Sequence, residues 1–207
     1  MCFFTFAAKS SNHKTNSMEF INRNLSNILF FLFVIFLFTP FGLPVRTFFI
    51  KQVAFVTTRL IPVESDMDER VALSAYNWEL KGLNGEKINL ADYKDKVVVI
   101  NIWATWCPPC IAEMPSFQKL YDEFKGNKEV VFLFVASDDV LKVKKFLAKK
   151  GYNLPVYFSV SNAPGELSSG SLPTTYILNK QGDIVVNKIG AADWSSPHIK
   201  EFINSLI

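Results

Sequence analysis

Apolar and polar positions along the chain fall into two recurring patterns. Val97-Val98-Val99-Ile100-Asn101-Ile102-Trp103 is an almost unbroken apolar, β-branched run and predicts a buried strand. Ile111 to Tyr121 has helical character, and the helix should end near Lys125-Gly126. Glu129 to Ala136 predicts a second buried strand. Val140 to Lys150 has apolar residues at 140, 141, 143, 146 and 147, a helix closed by Gly151 as its C-cap. Pro155 to Val160 predicts a strand. Thr174 to Leu178 and Ile184 to Ile189, joined across residues 179–183, predict a hairpin. A last helix runs from Ser196 to Leu206, with Ser195 or Ser196 as cap and Pro197 in its first turn. Upstream, Asn77-Trp78-Glu79-Leu80 and Lys87-Ile88-Asn89-Leu90 flank Asn84-Gly85, a strong hairpin signal. The order βαβαβ, then ββα, implies an α/β fold with a mixed central sheet and helices on both faces.

The first third of the chain lacks these patterns. Residues 1–23 form a polar, mildly basic tail. Residues 24–50 carry an uncharged apolar stretch whose core is Ile28 to Phe38, and nothing charged occurs between Arg23 and Arg46. With its flanks the run reaches about 20 residues, enough for one helix to cross a bilayer. A cleaved export signal is the alternative, but no small-x-small cleavage site follows the run, which favours a retained anchor. If translation starts at Met18, the basic region before the run shortens to that of an ordinary export signal. Residues 51–74 read as a linker with an acidic patch, and residues 75–207 as the folded domain.

Composition adds limits. The 207 residues suit one domain plus accessory segments, and much of the excess of Phe, 20 copies, lies near the N-terminus. A net charge of +3 gives no argument for nucleic acid. Three cysteines do not make a disulfide scaffold.

Two of those cysteines carry the chemistry. In Trp106-Cys107-Pro108-Pro109-Cys110 the pair stands at a strand-to-helix junction, with Cys107 at the helix N-cap. Cysteines so spaced can close a small disulfide ring and pass it to another protein. The free N–H groups and partial positive charge of a helix start stabilise a thiolate. Pro108 and Pro109 fill first-turn positions whose N–H groups have no helical partner, which leaves the N–H of Cys110 as the nearest donor to the Cys107 sulfur. Cys107 is therefore the expected nucleophile, with a pKa below the free value of about 8.5, and Cys110 the resolving thiol. A zinc site would need further ligands, and Cys2, His13 and His198 lie in no ligand spacing, so no metal is expected. No cofactor is expected either.

Asn101 to Cys110, followed by Glu113 and Pro115, resembles the TlpA/ResA-like thiol–disulfide oxidoreductases of the thioredoxin superfamily. Ser171-Leu172-Pro173-Thr174 is similar to that group's second signature. The resemblance covers roughly residues 75–207. It implies a thioredoxin-like fold with an N-terminal hairpin extension and a helix–strand insert at 140–160. It also implies a single-pass anchor in the bacterial cytoplasmic membrane, with the domain on the extracytoplasmic side. The implied activity is reduction of protein disulfides, such as apocytochrome c cysteines, with re-reduction by a thiol-transferring membrane donor. Pro173 carries over as a cis-proline opposite the cysteines. Trp106, Pro108, Pro109, Leu172 and Pro173 are the expected substrate-facing residues. Glu113 carries over as the group's active-site glutamate, a proton relay for Cys110; its other reading is an early-helix acid complementing the helix dipole. Many thioredoxins have a buried aspartate where this chain has Asn101, which cannot take a proton, so the relay falls to Glu113. A non-catalytic tethered binding module and a disulfide oxidase are the competing readings. A peroxidase of the peroxiredoxin group is disfavoured, because its cysteine sits in a different Pro/Thr setting.

Overall fold

A computed structural model describes residues 25, 27–32, 34–36, 39, 45 and 71–207. The chain divides into two compact units, Met1–Val45 and Arg46–Ile207. In the first, the described residues between 25 and 36 are helical, and the side chains of Ile28, Leu29, Phe30, Phe31, Leu32 and Ile35 are exposed. Among the described residues no helix is long and apolar enough to cross a membrane. Much of the expected 24–50 anchor, the tail 1–23 and most of the linker 51–74 lie outside the described residues.

The second unit is built on one eight-stranded sheet. Its strands are β1 (Val71–Ala72), β2 (Glu79–Gly82), β3 (Lys87–Asn89), β4 (Val97–Trp103), β5 (Val130–Ala136), β6 (Val156–Ser159), β7 (Thr174–Leu178) and β8 (Asp183–Ile189). Their order is β1-β8-β7-β4-β5-β6-β2-β3. β4, β5 and β6 are mutually parallel; the other pairings are antiparallel. The fold is thioredoxin-like, with the β2–β3 hairpin added to the β6 edge. Gly85 makes its turn possible, since φ is +93° there, a region that residues with a Cβ rarely enter.

Three α-helices accompany the sheet: α1 (Pro108–Phe124), α2 (Val140–Lys150) and α3 (Pro197–Leu206). Asp139 caps α2 through the N–H groups of Leu141 and Lys142, and Gly151 closes it at φ +69°. Ser196, not Ser195, caps α3.

Alternation along β4 divides the interior. Val97, Val99 and Trp103 join one core with Met114, Phe117 and Leu120 of α1, Val143 and Leu147 of α2, and Ile199 and Ile203 of α3. Val98 and Ile100 join the other, with Trp78, Leu80, Tyr176, Leu90 and Leu167. The sequence leads one to expect helices on both faces; instead all three α-helices bury their apolar residues in one core. The reason is topological. β4-α1-β5 and β5-α2-β6 step the same way across the sheet, and right-handed crossovers then put both helices on one side. The other face is covered by two short 3-10 helices, Leu90–Tyr93 and Gly165–Leu167, each burying one leucine. The sheet also begins earlier than residue 75, because Val71 and Ala72 pair with Ile184 and Asp183.

Candidate active site

β4 ends at Trp103, at the centre of the sheet, and α1 begins five residues later. Cys107 is the N-cap of α1: its backbone is extended, and its Sγ accepts the Cys110 N–H at 3.2 Å. Cys107 and Cys110 are joined as a disulfide with Cα atoms 5.3 Å apart. Cys107 is only 3% exposed, and Cys110 is buried. Trp106 beside them is 64% exposed, and Pro108 and Pro109 are half-buried.

Two neighbouring loops converge on this junction. In the first, the Thr105 N–H and hydroxyl both donate to Asp138 Oδ2, and the Ser137 N–H donates to the Trp103 carbonyl. The turn before the cysteines is thereby fastened to the start of α2. For Asp138, partial burial would raise the pKa, but the hydrogen bonds from Thr105 and the Asp139 N–H outweigh it and hold the carboxyl below its usual range. In the second, the Leu172–Pro173 peptide is cis, Pro173 is buried and Leu172 half-buried. The Gly190 N–H donates to the Pro173 carbonyl. Pro173 leads directly into β7, whose Thr174 lies opposite Ile102.

Glu113 departs most from the sequence picture. An early-helix acid complementing the dipole would sit in water, whereas Glu113 is 2% exposed. It lies on the buried face of α1, one turn past Cys110. Its Oε1 accepts from Asn101 Nδ2 at 2.9 Å, and its Oε2 from Trp194 Nε1 at 2.9 Å and the Ala192 N–H at 3.3 Å. Burial pushes its pKa up to about 8, against the lowering effect of the hydrogen bonds from Trp194, Asn101 and Ala192. Trp194 is held in turn by stacking on Phe117, with ring centroids 5.0 Å apart, and by its backbone N–H, which donates to Ser116 Oγ.

Asp138, Thr175, Ala192 and Trp194 were not anticipated from the sequence. The three that surround Glu113 and Asn101 are 74 to 81 residues away from their partners. Only Trp194 could have been singled out, as an aromatic just before a helix cap. Among the described residues no group of His, Cys, Asp and Glu is placed to hold a metal.

The arrangement can perform dithiol–disulfide exchange. One sulfur stands at a helix start with a backbone donor, the other one turn inside, and a protonatable carboxyl lies one turn further on. Comparison with known proteins agrees. Residues 71–187 match the AhpC/TSA family model. The thiol-disulfide oxidoreductase ResA of Halalkalibacterium halodurans is 33% identical over 135 residues, covering 65% of this chain and 76% of that protein. The thioredoxin-like protein YneN of Bacillus subtilis is 38% identical over 112 residues, 53% of this chain and 66% of that one. Among solved structures, a protein from Bacteroides vulgatus assigned as a thiol-disulfide oxidoreductase is 31% identical with a TM-score of 0.55, covering 66% of this chain and 97% of that one.

Proposed function

The chain belongs to the AhpC/TSA family, where it falls with the ResA-like thiol–disulfide oxidoreductases, and from that membership we propose that it is a membrane-anchored, extracytoplasmic reductase of protein disulfides. The observation that carries the proposal is Cys107 capping α1, with its sulfur on the Cys110 N–H and the sealed Glu113 carboxyl one turn beyond Cys110.

In this reading the Cys107 thiolate attacks a substrate disulfide. A Cys107–substrate disulfide forms, and the first substrate sulfur leaves as a thiolate. Glu113, ionised, takes the proton of Cys110, which lies one turn before it on α1. The Cys110 thiolate then attacks the Cys107 sulfur and displaces the second substrate thiolate. Two electrons have passed to the substrate, and the enzyme holds the Cys107–Cys110 disulfide. The proton on Glu113 and one from solvent complete the two substrate thiols. Trp106, exposed beside the cysteines, together with Pro108, Pro109, Leu172 and Pro173, forms the surface on which the substrate segment lies. Apocytochrome c cysteines fit as substrate, and a thiol-transferring membrane protein as the electron donor that restores the dithiol. The exposed apolar side chains between Ile28 and Ile35 support the anchor.

Two experiments test this. Reduced protein should turn over an insulin-type disulfide and consume hydrogen peroxide slowly; no disulfide turnover with rapid peroxide loss would mark a peroxidase instead. Protease added to spheroplasts should digest the domain beyond Lys51 while the protein fractionates with membranes. Protection until lysis would place the domain in the cytoplasm.

A further inference from the structure

Asn101 is fully buried in the middle of β4. Its Nδ2 donates both to Glu113 Oε1 at 2.9 Å and to Thr175 Oγ1 at 3.0 Å. Its Oδ1, equally buried, has no hydrogen-bond partner. Such an orphan in a packed interior is uncommon.

The carboxyl facing it has the complementary problem. Asn101 Nδ2, Trp194 Nε1 and the Ala192 N–H are all donors, a set suited to a carboxylate. Burial works the other way, and with a pKa of about 8 Glu113 is mostly a carboxylic acid at pH 7. A carboxylic acid has an O–H to donate, and a ring of N–H groups gives it no acceptor.

A primary carboxamide meets the second difficulty. Its two ends have nearly the same shape, and a half-turn about χ2 exchanges a donor for an acceptor at one place. The same turn gives Oδ1 partners while moving Nδ2 to the unpartnered place. We propose that Asn101 is a positioning residue that turns its carboxamide as Glu113 changes protonation, offering Nδ2 to the carboxylate and Oδ1 to the acid. Thr175 follows without moving, because a hydroxyl accepts from Nδ2 in one state and donates to Oδ1 in the other. Aspartate at this position would set a second carboxylate beside the first, and leucine would offer neither partner. Both protonation states of Glu113 then keep a hydrogen bond on Oε1, as a group that must gain and lose a proton in each cycle requires. Around the Asn101–Glu113 pair, β7 places Thr175 on Asn101, and the segment before α3 places Ala192 and Trp194 on Glu113, none charged; α1 carries the two cysteines, which do not titrate as a disulfide. No charged side chain contributes to the shift of Glu113.

The functional meaning of the turn rests on the relay reading of Glu113, but its test does not. The oxidised full-length protein, labelled with ¹⁵N at Asn side chains and ¹³C at Glu Cδ, is titrated from about pH 6 to 10 by NMR. Above the Glu113 midpoint, Asn101 Nδ2 protons should show cross-relaxation to the Thr175 methyl and the Trp194 indole N–H. Below the midpoint those contacts should weaken, with the same midpoint as the Glu113 ¹³Cδ shift. Contacts that persist unchanged through the Glu113 titration would overturn the proposal. Asn101→Leu gives an independent reading. A turning amide helps both states, so its loss should move the Glu113 midpoint by less than about half a unit. A fixed donor helps only the carboxylate, and its loss would raise the midpoint by about one unit or more, which would also overturn the proposal. If Asn101→Leu does not fold, the wild-type titration decides. Unchanged Cys110 resolution in Glu113→Gln would end the relay reading and leave the amide result standing.

Discussion

Glu113→Gln is the substitution from which most can be learned, and its effect on stability has a definite sign. Glu113 holds its proton up to about pH 8 in the fold, against 4.5 for the ordinary group. Between those values the native protein binds a proton that the unfolded chain has lost, so stability falls as pH rises. The contribution is fully present below pH 4.5 and is lost as pH climbs through about 8. Each unit of the window is worth roughly 1.4 kcal/mol, on the order of 4–5 kcal/mol in all, with little solvent screening at so buried a site. The substituted glutamine side chain cannot ionise. It resembles the neutral acid, its Oε1 can accept from Trp194 and Ala192, and a turned Asn101 can accept from its Nε2. The variant should therefore match the wild type near pH 5 and exceed it by several kcal/mol near pH 9. Urea unfolding of the oxidised full-length protein, in steps from about pH 5 to 9, measures this as the difference between two midpoints at constant m. Groups titrating elsewhere cancel in that difference. Two curves that stay parallel from pH 5 to 9 would mean that Glu113 is ionised in the fold, and the argument from burial would be wrong.

Other expectations follow from the same geometry. Resolution of a mixed disulfide by Cys110, followed by stopped-flow fluorescence, should speed up with pH to a plateau above about 8 in the wild type; in Glu113→Gln that limb should be absent and the plateau lower by about 10²–10⁴-fold. Trp194→Phe keeps a ring to stack on Phe117 but removes a donor that lowers the Glu113 pKa, so the rising limb should move to higher pH; an unmoved limb would remove Trp194 from the network. Asp138→Ala leaves the Thr105 N–H and hydroxyl without their acceptor and should cost about 1–3 kcal/mol in urea unfolding, with a faster proteolytic cut near Thr105. An unchanged midpoint would show that the loop is held by other contacts.

Much of the fold was legible because its signals are local. The unbroken run of β4, the Cys107 and Gly151 caps and the Asn84-Gly85 turn each lie within a few residues of the element they define. β1 was missed because two residues carry no period. The placement of α1 and α2 on one face depends on strand order, which hydropathy does not encode. At the site, the cysteines were legible for the same reason as the caps. Glu113 was legible as a residue but not as an environment: two of the donors that seal it come from Ala192 and Trp194, brought there only when the segment before α3 folds across α1. The orphaned oxygen of Asn101 could be found only once β4, β7 and α1 were seen together.

The central claim is that Cys107 attacks and Cys110 resolves. Cys110→Ser in the full-length protein, reduced and mixed with an oxidised protein substrate, should accumulate a mixed disulfide that mass spectrometry maps to Cys107. Cys107→Ser should accumulate none, since buried Cys110 cannot reach a substrate first. Adducts on Cys110 in Cys107→Ser, with none on Cys107 in Cys110→Ser, would contradict the account.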